Sequence, residues 1–155
     1  MTPTLLLIDD NPNDRLLAEV GCRRAQVSFR LEMVEGGVEA IRYLNGQGTF
    51  SDRVEHPFPD LIFLDLKMPE MDGFQVLRWI RSHPATRATP VAVCSASYIP
   101  EDIAKSYSLG AEYFIPKPAE LGVLVSIFHA ADQYLADRER NRDALAHFYS
   151  PELNT

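Results

Sequence analysis

Five short apolar segments, each followed by an amphipathic stretch, decide most of what this chain can become. Three are unbroken runs of four residues, Leu-Leu-Leu-Ile at 5–8, Leu-Ile-Phe-Leu at 61–64 and Val-Ala-Val-Cys at 91–94, and a shorter one, Tyr-Phe-Ile, stands at 113–115. Runs this short, without a polar residue, suit strands buried on both faces. The segment 29–34, Phe-Arg-Leu-Glu-Met-Val, alternates instead and fits a strand with one more exposed face. Between them lie helical patterns. Residues 13–25 set Leu16, Leu17, Val20 and Gly21 on one side, and 38–44 repeats apolar residues at spacings of three and four. Residues 72–80 form a stripe of Phe74, Leu77 and Ile80. Residues 100–109 open on Pro100 and two acids and stop at Gly110, and 119–137 is the longest.

Strand and helix thus alternate five times. Continuous apolar strands joined by helices predict a parallel sheet covered on both faces, with right-handed crossovers. The expected fold is α/β, a flavodoxin-like (βα)5 doubly wound five-stranded parallel sheet in the order 2-1-3-4-5. The 155 residues suffice for one domain. We expect a compact unit over 1–137 and a C-terminal extension over 138–155. The connection 46–59 is longer than such folds need, and loops of that length carry function or disorder.

In a doubly wound sheet, ligands bind beyond the carboxyl ends of the strands. The first strand ends at Asp9-Asp10, the third at Asp65 and the fourth at Ser95, and the fifth leads to Lys117. Each residue alone is unremarkable, since a strand-end Asp-Asp is commonly a solvated turn and a strand-end Ser commonly a helix cap. Together they set three carboxylates, a hydroxyl and an ammonium on one rim. Converging carboxylates need a cation, and an all-oxygen set selects a hard divalent ion such as Mg²⁺. Lysine and hydroxyl donors opposite it suit phosphoryl oxygens, and an aspartate can be the nucleophile. The rim therefore reads as Mg²⁺-assisted phosphoryl transfer onto a carboxylate.

The motifs Leu-Ile-Asp9-Asp10-Asn-Pro, Leu64-Asp65-Leu-Lys-Met68-Pro69-Glu-Met-Asp72-Gly73, Pro90-Val-Ala-Val-Cys-Ser95-Ala96 and Gly110-Ala-Glu-Tyr-Phe114-Ile-Pro-Lys117-Pro118 resemble the receiver domain of two-component response regulators over residues 4–136. The resemblance implies Asp65 as phospho-acceptor and a Mg²⁺ site of Asp9, Asp10, Asp65 and the Lys67 backbone carbonyl. It implies Ser95, Ala96 and Lys117 as the phosphoryl-binding group, with Asp65, Lys117 and Ser95 carrying the chemistry. Phe114 falls at an aromatic switch whose ring moves inward with Ser95. A cis Lys117–Pro118 bond is also implied. Ser95 and Phe114 stand where Thr and Tyr are frequent, and Lys67 places a flexible cation two residues after the acceptor, where it could screen it.

The same resemblance implies a stand-alone response regulator, phosphorylated by a sensor histidine kinase, that signals through the face made by the fourth helix, fifth strand and fifth helix. It would be no enzyme beyond its own phosphorylation and dephosphorylation. The 46–59 insertion and the Leu-Asp-Leu-Lys-Met-Pro context resemble small regulators that serve bacterial phytochrome kinases. A phosphate-independent receiver-like binding module is the alternative. Lys67 occupies the position where a haloacid-dehalogenase phosphatase needs a second aspartate, and the acidic turn after the first strand would repel a flavin phosphate.

Outside the rim, the four histidines have no metal-ligand spacing, and Trp79 and Cys94 read as packing residues. Along 119–137, Leu121, Leu124, Val125, Phe128, Ala131 and Leu135 form one apolar stripe, and Val123, Ile127, Ala130 and Tyr134 a second. A surface helix needs one stripe, so the second points to a partner. With Leu145, Phe148 and Tyr149 at helical spacing beyond, we expect the extension to form a helix or arm packing across a homodimer. A net charge of −7 argues against nucleic acid and anionic membranes. Two cysteines are too few for a disulfide framework, and no segment suits a signal peptide or membrane span, so a cytoplasmic protein is expected.

Overall fold

The computed structural model describes residues 1–148. Its strands are β1 (Thr4–Ile8), β2 (Arg30–Val34), β3 (Leu61–Leu64), β4 (Val91–Ser95) and β5 (Tyr113–Pro116). The helices are α1 (Pro12–Ala25), α2 (Gly37–Leu44), α3 (Gly73–Ser82), α4 (Pro100–Ser108) and α5 (Leu121–Ala136). The five strands form one parallel sheet in the order β2-β1-β3-β4-β5, as the sequence predicts. Successive side chains point to opposite faces. Leu6, Ile8, Ile62, Leu64, Val93 and Phe114 therefore meet α2, α3 and α4, while Leu5, Leu7, Phe63 and Ile115 meet α1 and α5. β2, at one edge, is the strand with the most exposed side chains.

Polar residues set where the helices begin. Asn11 caps α1, its Oδ1 accepting from the backbone N–H groups of Asn13 (2.9 Å) and Asp14 (3.3 Å), with Pro12 in the first turn. Asp72 and Gln75 make a reciprocal capping box on α3. Gly73 lets α3 begin hard against the end of β3. A Cβ there would lie 2.2 Å from the Asp65 carbonyl oxygen, while the Gly73 N–H donates to the Leu66 carbonyl at 2.9 Å.

Two helix faces differ from the sequence pattern. α1 buries its small residues Ala18, Gly21 and Cys22, whereas Leu16 and Leu17 are 58% and 44% exposed. The reason is the close approach of α5, since a Cβ on Gly21 would sit 3.1 Å from the Phe128 ring. On α5 the second apolar stripe is not left for a partner. Ile127, Ala130 and Tyr134 are buried inside the chain, and only Val123 of that stripe is exposed.

The cover comes from the C-terminal extension. Residues 138–145 form turns rather than a helix, followed by a 3-10 turn over Ala146–Phe148 that packs on β5. Leu145 is fully buried with Tyr134 and Tyr113, and the Tyr113 hydroxyl donates to the Arg142 carbonyl. Asn141 Nδ2 donates to the Gln133 carbonyl at 2.8 Å, and Arg138 lies 3.3 Å from Asp60. The extension thus packs in cis, and the surplus apolar surface that pointed to a dimer arm is satisfied internally. Tyr149 lies outside the described residues.

The 46–60 connection is ordered by its own aromatic cluster. The Tyr43 hydroxyl donates to the Pro57 carbonyl at 2.7 Å, Arg53 donates to the Leu44 carbonyl at 2.8 Å, and the rings of Phe50 and His56 pack on Tyr43. Trp79 packs against the core and stacks on His83 at 3.9 Å.

Candidate functional site

Parallel pairing brings the strand-end residues together. The Asp65 N–H donates to the Ile8 carbonyl (3.0 Å), and the Asp9 N–H to the Val34 carbonyl (3.2 Å), so both acids leave the sheet while still tied to it. One carboxylate oxygen from each of Asp9, Asp10 and Asp65 lies within 4.8 Å of the other two. Asp9 and Asp65 are 2% and 6% exposed, and Asp10 is half-buried. Three hard oxygen donors at that separation fit a Mg²⁺ ion that keeps several waters, and nothing in the donor set favours a softer metal.

Lys117 lies among these acids. Its Nζ is 2.9 Å from Asp9 Oδ2 and 3.2 Å from Asp65 Oδ2. A third carboxylate, that of Asp14 in the first turn of α1, is the nearest at 2.8 Å. The rim motifs do not reveal Asp14. The available signal was its place in the first turn of the helix that leaves the Asp9-Asp10 strand end.

Burial raises the Asp65 carboxyl, the Lys117 charge lowers it and the Asp9 charge raises it again, with a net rise above the ordinary aspartate value. Burial alone would lower Lys117. The hydrogen bonds to Asp14 and Asp9 and the charges of Asp65 and Asp9 outweigh it, and the ammonium is held above the usual lysine value. The site therefore combines a desolvated carboxylate with a cation that stays protonated.

The remaining expected residues divide. Ser95 is fully buried at the end of β4, its Oγ accepting from the Ser97 N–H at 3.2 Å and its carbonyl from the Lys117 N–H at 2.9 Å. Ala96 follows it, exposed on the rim. The Lys67 side chain leads away from the acceptor, with Nζ 3.5 Å from Asp102 Oδ2 on α4, so it does not screen Asp65. Cys94 is half-buried beside Lys117.

Phe114 is 1% exposed within the core between the sheet and α4, its ring turned inward in this structure. A phenyl ring has no hydroxyl to favour the solvated position, and burying it stabilises the fold by about 1.5–3 kcal/mol. One expectation fails here: the Lys117–Pro118 bond is trans, as there is no cis peptide bond among the described residues; trans is the form ordinarily preferred before proline, by about 0.5–1 kcal/mol.

Comparison with known proteins agrees with this geometry. Residues 5–129 match the response regulator receiver domain family. Response regulator Rcp1 of Synechocystis sp. is 28% identical over 130 residues, covering 84% of this chain and 86% of that protein. The crystal structure of the phosphorylated cyanobacterial phytochrome response regulator RcpA superposes with a TM-score of 0.79 at 32% identity, covering 89% of this chain and 96% of that one. Response regulator RPA3017, described in red light signaling of R. palustris, gives 0.79 at 31% identity, covering 85% and 92%. No helix among the described residues is long and apolar enough to cross a membrane. With five strands in the family's order and the acidic rim in place, this chain belongs to the response regulator receiver domain family.

Proposed function

We propose that this protein is a cytoplasmic response regulator that accepts a phosphoryl group from a histidine kinase on Asp65. The observation that carries the reading is the Asp65 carboxylate, 6% exposed and clustered with Asp9 and Asp10, with the Lys117 ammonium 3.2 Å away. Asp9, Asp10, Asp65 and the Lys67 backbone carbonyl would hold Mg²⁺, which when bound supplies positive charge to the phosphoryl oxygens. Asp65 Oδ attacks phosphorus and forms the new P–O bond. The P–N bond of the donor phosphohistidine breaks, and its electron pair leaves with the imidazole. Lys117 offers its N–H groups to the incoming negative charge, and the Ser95 hydroxyl and Ala96 N–H would donate to another oxygen.

Contacts across the rim carry the output. Lys67 and Ser97 both reach Asp102, so a change at Asp65 or Ser95 bears on the first turn of α4 and on the α4-β5-α5 face. Phe114, buried on β5 against α4, serves as the aromatic switch that follows Ser95. Exposed Leu16 and Leu17 lie next to the rim on α1, apolar surface suited to the protein that brings the phosphoryl group. Similarity to RcpA and RPA3017 supports a phytochrome-type kinase as that partner. Residues 1–137 are the signalling unit and 138–155 an addition to it, of which Ala144, Leu145 and Phe148 pack in the core on the β5 and α5 side. Self-phosphorylation from a phosphodonor and self-dephosphorylation are its only reactions.

The test is intact-mass spectrometry after incubation with acetyl phosphate, with and without Mg²⁺. A Mg²⁺-dependent gain of one phosphoryl group in the wild type, absent in Asp65→Asn, is the expected result. No gain in a folded sample would favour the phosphate-independent binding module.

A further inference from the structure

Lys117 has three N–H donors and, at 2.8–3.2 Å, three carboxylates to receive them. The longest of the three contacts is the one to Asp65, and the shortest is to Asp14. These carboxylates differ in freedom. Asp9 is anchored at the end of β1, where its Oδ1 also accepts from the Asn11 N–H at 2.9 Å, and it is almost wholly buried. Asp14 stands on α1 with a third of its side chain in solvent, beside Lys117 in a cavity of about 70 Å³ between α1 and α5. It is thus the acid that can be released to water when another anion claims the ammonium.

We propose that Asp14 is a positioning residue that draws Lys117 off the acceptor and competes with a phosphoryl group for its ammonium, so that it sets how tightly the site holds that group. The inference rests on Asp65 being the phosphoryl site, and it deepens that reading by adding a residue that the motifs do not contain. A phosphoryl group on Asp65 brings added negative charge to a lysine that the carboxylates of Asp9 and Asp14 already hold. Two anions sharing one cation each hold it less strongly than either alone. Asp14 therefore favours the unphosphorylated chain. Its removal leaves Lys117 wholly to Asp9 and the phosphoryl oxygens. No catalytic contact with the phosphoryl group is required of Asp14, only its hold on Nζ.

The experiment measures the affinity of the intact chain, with Mg²⁺ present, for beryllofluoride, a non-covalent stand-in for the phosphoryl group, by ¹⁹F NMR titration. Asp14→Asn is expected to bind it about tenfold more tightly than the wild type, the size of effect one close opposite charge has on a titrating partner. Asp14→Glu, which keeps the charge, should return the affinity towards the wild-type value. Glu19→Gln removes an exposed α1 acid that touches no part of the site and should leave it unchanged. Asp14→Ala serves as a second neutral variant, with the amide spectrum of each confirming the fold. Unchanged or weaker binding by folded Asp14→Asn and Asp14→Ala overturns the proposal, as does an equal gain in Glu19→Gln, which would mean diffuse charge alone. If folded wild type and both neutral variants all fail to bind, the phosphoryl-site reading falls and takes this inference with it.

Discussion

Lys67 Nζ lies 3.5 Å from Asp102 Oδ2, an ion pair that joins the loop after the acceptor to the first turn of α4. Lys67 is 64% exposed, so the pair contributes little to global stability. Its effect should be local. Lys67→Gln is expected to change the unfolding free energy by no more than about 0.5 kcal/mol. Hydrogen exchange at the amides opening α4 should quicken in the same variant. A large global loss with unchanged exchange in α4 would mean that Lys67 serves the fold and does not link the loop to the helix.

Asp65 should cost the fold stability at neutral pH. Burial raises its carboxyl, Lys117 opposes and Asp9 adds to the rise, so the folded state binds this proton more tightly than the unfolded chain. Such a group adds stability at low pH. That contribution is lost as pH rises from the ordinary value of 3.8 through the higher folded value. Asp65→Asn is therefore expected to stabilise the metal-free chain at pH 7 by on the order of 1 kcal/mol, as relief of a strained functional group commonly does. Mg²⁺ should narrow the difference. Urea unfolding of both proteins, with and without the ion, checks it, and a destabilised Asp65→Asn would contradict it.

The C-terminal extension should behave as part of the fold. Leu145 is fully buried against β5 and α5, so Leu145→Ala is expected to cost about 2–3 kcal/mol, the lower part of the range for a buried leucine. Thermal and urea unfolding at several concentrations would measure it. If the loss appears only at concentrations where the chain associates, the extension packs on a second copy instead.

Alkaline pH should weaken the α1–α5 side of the sheet. Burial, with Asp132 adding to it, pushes the Cys22 thiol from 9.0 up to about 12. Burial, with Tyr134 and Glu112 adding, moves Tyr113 from 10.0 up to about 12. Both groups are neutral in the fold where the unfolded chain would already be ionised. Their stabilisation is complete below pH 9 and is lost as pH rises towards 12. The urea midpoint should therefore fall between pH 9 and 11, less steeply in Cys22→Ala. A flat profile would contradict this.

The strands and the rim were legible because they rest on local rules. Runs such as 61–64 have only one stable environment, and a parallel sheet then delivers Asp9, Asp10, Asp65, Ser95 and Lys117 to one edge. Helix faces were less legible where tertiary packing overrides the pattern. Gly21 and Ala18 face α5 because the helices come too close for leucine, which leaves Leu16 and Leu17 outside. The second stripe on α5 reads as a partner surface because no periodicity shows that residues 138–148 turn back over it. Asp14 escaped for a related reason. The sequence puts it in the first turn of α1, but only the fold brings Lys117, 103 residues later, to within 2.8 Å.

The most direct test of Asp65 as the acceptor is to trap the acyl phosphate where it forms. Wild-type chain phosphorylated by acetyl phosphate with Mg²⁺ is treated with borohydride, which reduces an aspartyl phosphate to homoserine and releases phosphate, and the digest is mapped by mass spectrometry. The expected result is homoserine at position 65 alone, dependent on Mg²⁺. Homoserine at Asp9, Asp10 or Asp14, or at no position in a folded sample, would contradict it.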